Sequence, residues 1–185
     1  MKLEDSNRAL RRALNIRGVP AHQHRLAVER LAETQPHTVT FVGERADQTC
    51  ATYAFHLTDN PTYRTIAVEC DVFAGKKFML WAIAGRLDEI GEARAGCLVC
   101  YFSKAGWQHI GVISESGRVA SKWGTFPLYE HDLAEIPTEY GDRVRFFNRP
   151  TAYEALSLFL DFARECGLSD ENIAHAIIAT RGEGR

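Results

Sequence analysis

Three short β-rich runs follow one another in the middle of the chain with almost nothing between them: GCLVCYFS at 96–103, WQHIGVIS at 107–114 and GRVASKWG at 117–124. The links KAG and ESG have hairpin length and carry the glycine that a tight reversal favours. Parallel neighbours would need a crossover of about a dozen residues, so these runs can pair only as an antiparallel meander. YGDRVRFFNRP at 140–150 predicts one more strand, closed by Pro150.

On both flanks the apolar period is helical. Leu10 and Leu14 sit four apart in the stretch from Asn7 to Leu14, and PAHQHRLAVERLAET repeats the pattern with Leu26, Val28 and Leu31, which predicts a solvent-facing helical segment. HTVTFVG at 37–43 reads as a short strand or extended lead-in, and Cys50 to Leu57 as a short helix. Residues 60–71 stay open, with Pro61 as punctuation and Tyr63, Ile66 and Val68 as possible core. GKKFMLWAIAG packs Phe78, Leu80, Trp81 and Ile83 too densely for a half-solvated strand and predicts a mostly buried helix stopped by Gly85. TAYEALSLFLDFARECG and SDENIAHAIIATRG predict two closing helices, the second capped by Ser169. Helices first and sheet second make an α+β domain. At 185 residues and 45% hydrophobic the chain suits a single domain, 1–185. Its parts are a helical extension at 1–36, a core at 45–150 and C-terminal helices at 151–185.

Composition removes several classes of function. With 22 basic and 24 acidic residues and no block of like charge, there is no electrostatic footprint for nucleic acid. No run approaches the ~18 apolar residues of a membrane span, so no membrane partner is expected. MKLEDSNRALRRALN lacks the basic-then-apolar order of a secretory signal, which predicts a cytoplasmic location. Five cysteines (50, 70, 97, 100 and 166), an odd number, fit a reducing compartment. Cys97 and Cys100 have C-x-x-C spacing, but on a strand i and i+3 point to opposite faces. With no second pair at ligand spacing nearby, both are read as core, with no metal and no cofactor expected.

Cys50 is the residue with chemical potential. Asp47, Gln48 and Thr49 before it are cap and turn formers, so a helix is expected to begin at the cysteine and to lower its pKa. A nucleophilic thiolate also needs a base. His56, six residues on, lies on another face of the same helix; His22, His24 and His37 fall in polar segments read as exposed, and His175 reads as surface or packing. His109 opens a strand whose alternation places His109, Gly111 and Ile113 on one face. Gly111 leaves room there for a close neighbour, and the Cys50 helix is the obvious one.

A cysteine opening a helix as CATYA, then the strand GCLVCYF, a hairpin and HIGVI with a glycine turn and another strand, resembles the NlpC-type and CHAP branches of the papain-like cysteine peptidase and amidase superfamily. The likeness covers about residues 45 to 150. SKWGTFPLYEH through EYGDRVRFFNRP resembles an uncharacterised side branch of it. The resemblance implies a papain-like domain, an antiparallel sheet packed against the helix that carries Cys50 at its N-terminus, with extra helices at both chain ends. It implies Cys50 as nucleophile, His109 as general base, the Cys50 backbone N–H as oxyanion donor, and Ser121 at the place of the residue that orients the imidazole. Ser121 and Trp123 share a strand face, and Gln48, Lys122, Trp123 and His131 are further residues that could shape the site.

The serine departs from the Asn, Asp or His usual at that place, and Cys97 stands where such strands carry aspartate. Taken alone, Trp123 reads as packing, Lys122 as a solvated strand residue and His131 as a cap or surface histidine. The expected activity is hydrolysis or transfer at an amide or thioester through a Cys50 acyl-enzyme, on a peptide-like or acylated small-molecule or protein substrate. The alternative is a non-catalytic binding or immunity-type module on the same scaffold.

Overall fold

The protein is described by a computed structural model over residues 1–3, 7–44 and 47–182. Residue 45, where the core at 45–150 was expected to begin, lies outside the described residues. The helices are α1 (Arg8–Ala13), α2 (Ala21–Leu31), α3 (Cys50–Ala54), α4 (Pro61–Glu69), α5 (Lys76–Ile83), α6 (Ala152–Glu165) and α7 (Asp170–Gly182). The strands are β1 (Thr40–Gly43), β2 (Glu89–Ile90), β3 (Leu98–Ser103), β4 (Gly106–Ile113), β5 (Val119–Lys122), β6 (Leu128–His131) and β7 (Arg143–Phe147). Among the described residues these strands make one sheet in the order β1-β6-β5-β4-β3-β7-β2, antiparallel throughout. The fold is therefore α+β, and the expected meander is β3-β4-β5.

Side-chain alternation splits the core into two layers, one on each face of the sheet. Leu98, Cys100, Ile110, Val112 and Phe147 face α3 to α7, where Phe55, Tyr63, Phe78, Phe159 and Phe162 pack edge to face at centroid separations of 4.7 to 6.1 Å. Cys97, Val99, Tyr101, Ile113, Val119, Trp123 and Tyr129 face α1 and α2. The C-x-x-C pair is thus divided between the two layers, both cysteines buried, as strand geometry requires.

The structure corrects several local readings. Residues 61–69 form a helix, begun by Asn60 as N-cap and Pro61 at the first position, where a missing N–H costs nothing. It buries Tyr63 and Ile66 but leaves Val68 at 85% exposure. The N-terminal helices do not simply face solvent: Leu10, Leu14, His24 and Val28 are buried, and Arg11 reaches from α1 to the carbonyls of Ile136 and Gly141. β2 and β6 have no counterpart in the sequence reading. YEH is polar in letters, yet β6 is sandwiched between β1 and β5, so His131 is fully buried rather than a cap or surface residue.

β3 and β4 pair along their length, with a bulge near Tyr101↔His109, whereas β4 and β5 pair only at Val112↔Ala120 and Ile113↔Val119. Beyond that point the two strands part, and α3 packs on both of them.

Candidate functional site

α3 is only five residues long and is closed by side chains at both ends. Thr49 is its N-cap: Thr49 Oγ1 accepts from the Thr52 N–H at 3.1 Å, and Thr52 Oγ1 accepts from the Thr49 N–H at 2.8 Å. At the other end Arg149 donates to the carbonyls of Ala54 (Nε, 2.7 Å) and Tyr53 (Nη2, 3.2 Å). The helix therefore starts at Cys50, as expected. Arg149 stands just before α6 in the chain, and nothing in its local sequence signals that it closes α3, 95 residues away.

So short a helix has little macrodipole, and what acts on the Cys50 sulfur is local. Burial pushes its thiol up to about 11, while the backbone N–H groups of Ile110, Ala51 and Cys50 itself, and the Lys122 ammonium, pull the other way. The expectation of a lowered pKa is corrected on this point: the helix start is present, but desolvation outweighs it. Lys122 is also not a solvated strand residue. It is fully buried, and its Nζ donates to the carbonyls of Gly124 (3.0 Å) and Phe126. Burial lowers its pKa, and the charges of Cys50, Glu44 and Asp47 oppose that.

His109 lies on β4 one residue before Ile110, and so on the opposite face from it. Its ring stacks on Tyr140 at 4.0 Å and 11°, beside Tyr101. Burial, then the neighbouring His131, hold its pKa well below the ordinary histidine value, and Nε2 is buried with no hydrogen-bond partner. Among the described residues no hydrogen bond joins His109 to Cys50. The two approach the parting of β4 and β5 from opposite layers. Gly111 does not receive the Cys50 helix: a Cβ there would stand 2.5 Å from Val119 Cγ1 and 2.9 Å from Ser121 Cβ, so the glycine admits β5 side chains on the far face.

Ser121 serves a different histidine from the expected one. His131 Nδ1 lies 2.9 Å from the Asp132 carbonyl, which can only accept, so Nδ1 carries the proton and Nε2 is an acceptor. Ser121 Oγ, 2.9 Å from that Nε2, therefore donates to it and accepts from Trp123 Nε1–H at 3.0 Å. Trp123 and Ser121 do share a face, as read from the strand. Trp123, Ser121 and His131 thus form one saturated chain behind His109. Tyr140, in a 3-10 turn at Thr138–Tyr140, carries no sequence signal as a partner of His109, because the contact is made between residues 31 positions apart in the chain. Gln48, two residues before Cys50, is buried with Oε1 unpaired.

Burial holds His24 and His131 at about 4, and His109 also low. Each favours the neutral form in the folded state, so this stability is complete above the unfolded value near 6.5 and is lost as pH falls toward 4. His131 alone should withdraw on the order of 2 kcal/mol by about pH 5. Melting followed by circular dichroism should show Tm falling through this window; a flat profile would count against neutral buried histidines.

Comparison with protein-family models, with curated proteins and with solved structures finds no match to this chain.

Proposed function

We propose that the protein is a cysteine-dependent hydrolase or acyltransferase on a papain-like scaffold of NlpC type. It would act on an amide or thioester of a peptide-like or acylated substrate through an acyl-enzyme on Cys50. One observation carries this reading: the Cys50 sulfur stands at a side-chain-capped helix start, among the N–H groups of Cys50, Ala51 and Ile110, with the buried Lys122 ammonium acting on it. These are fixed donors around a half-buried sulfur, which is what a developing oxyanion requires.

The chemistry follows from the protonation states. At neutral pH Cys50 is a thiol and His109 an uncharged imidazole, the forms a nucleophile and its base need at the outset. As sulfur attacks the carbonyl, its proton passes to His109 across the gap between β4 and β5. Each new charge stabilises the other, and Lys122 stabilises the thiolate. The carbonyl electrons become an oxyanion held by the Cys50 and Ile110 N–H groups. Collapse breaks the bond to the amine or thiol leaving group, which takes the proton from the imidazolium. Water, or a second acceptor, gives its proton to the same imidazole and releases the acyl group. Five unpaired cysteines suit a reducing, cytoplasmic setting for such a thiol.

A library of amide and ester electrophiles, read by peptide mass mapping, tests this. Adducts should concentrate on Cys50, and His109→Gln should slow their formation by about a hundredfold or more, the usual weight of a general base. Equal labelling of Cys50, Cys70 and Cys166, unaffected by His109→Gln, would refute it. The second reading, a non-catalytic binding module, draws support from the partnerless Nε2 of His109 and from the raised thiol pKa.

A further inference from the structure

A cavity of about 410 Å3 opens beside α3, bordered by Gln48, Thr52, His56, Thr58, Asp59 and Arg149. Three features of its wall define what can enter. Gln48 Oε1 and Thr58 Oγ1 are both buried without a hydrogen-bond partner, in side chains only 7% exposed. Leaving a buried polar atom unmet is destabilising, so two in residues bordering one cavity mark a place where a partner is missing. Asp59 supplies a carboxylate. Arg149 supplies a guanidinium whose Nε and Nη2 are occupied by the carbonyls that end α3 and by His56, while Nη1 has no hydrogen-bond partner among the described residues. His56 adds no second charge, since burial and the adjacent Arg149 lower its pKa.

Besides Tyr53 and the Thr52 hydroxyl, which closes the start of α3, the wall presents one positive group, one negative group and two unmet oxygens. An anion alone would face Asp59. A cation alone would face Arg149, and an apolar group would leave both oxygens unmet. We infer that this cavity binds the zwitterionic head of an α-amino acid. The ammonium donates to Asp59 and, once Gln48 and Thr58 rotate their covered oxygens into the cavity, to those two atoms; the carboxylate accepts from Arg149 Nη1. Thr52, two residues past Cys50 on α3, points to the other side of the helix from the sulfur, so binding of the head group does not rest on the chemistry proposed at Cys50.

The test is calorimetric or NMR titration of the Cys50→Ala chain, in which no acyl transfer can occur, with L-glutamine and with glutaramic acid, the same molecule without its amine. L-glutamine should bind with a millimolar or lower Kd and glutaramic acid about tenfold more weakly or worse. Asp59→Asn, a change at an exposed side chain, should abolish that difference by weakening only L-glutamine. Arg149→Met should weaken both ligands; because Arg149 also holds α3, Asp59→Asn decides the matter should that variant fail to fold. Equal affinity for the two ligands, or no binding of L-glutamine, overturns the inference while leaving adduct formation at Cys50 untouched. Selective binding of L-glutamine with no Cys50 adduct in the electrophile library would uphold the inference and defeat the proposed chemistry instead.

Discussion

Alkylation of Cys50 by iodoacetamide should be slow at neutral pH and should accelerate about tenfold for each pH unit until about pH 11. The sign follows from the reactive species. Iodoacetamide reacts at a methylene carbon, with no carbonyl addition for the oxyanion donors and His109 to assist, so it takes only the preformed thiolate; burial has pushed the Cys50 thiol up to about 11, and about one molecule in ten thousand is ionised near pH 7. The same cysteine in the urea-unfolded chain, titrating in the ordinary thiol range, supplies the reference, and the folded protein should lag it by about two orders of magnitude at neutral pH. Lys122→Met should widen the lag, because the ammonium is one of the groups that favour the thiolate. Fast alkylation of the folded chain at neutral pH would mean a preformed thiolate and would remove the need for His109 as a base.

The Cys50 site is only partly legible in its letters. CATYA after DQT announces a helix start, and Thr49 makes it one through a reciprocal pair of hydrogen bonds with Thr52. What no local pattern carries is the environment that the helix is pressed into. The sign of the pKa shift depends on desolvation by β4 and β5, which are more than fifty residues away in the chain. Ser121 illustrates the same limit. Alternation correctly puts it on one face with Trp123, yet its partner was decided by β6, a strand of four residues too polar to announce itself. The meander, by contrast, was fully legible, because period two and two short glycine-bearing links leave an antiparallel sheet as the one solution. The helix at 61–69 was obscured because its outer face carries Val68 exposed, which blurs the apolar stripe, although Asn60 and Pro61 are strong start signals.

Gly141→Ala should cost about 5 kcal/mol or more and leave little folded protein at physiological temperature. Gly141 sits at φ +102, where an L side chain is already strained, and a Cβ there would stand 2.1 Å from the Phe102 carbonyl oxygen and 2.6 Å from the Ser103 nitrogen. Those are backbone atoms of β3, which is hydrogen-bonded to β4 on one side and β7 on the other, so they have nowhere to retreat. Gly124→Ala provides the control. It too has positive φ, at +59, but its nearest neighbour would be Tyr140 Oη at 3.9 Å, so it should lose only about 1 kcal/mol of backbone strain. Comparing the two melts separates collision from conformation, and similar small losses would show that the turn does not press on β3. The consequence reaches the site: Arg11 holds the Gly141 carbonyl from α1, and Tyr140, the residue before, is the face on which His109 stacks. α1 thus fixes the imidazole indirectly, through the turn that carries Tyr140 and Gly141.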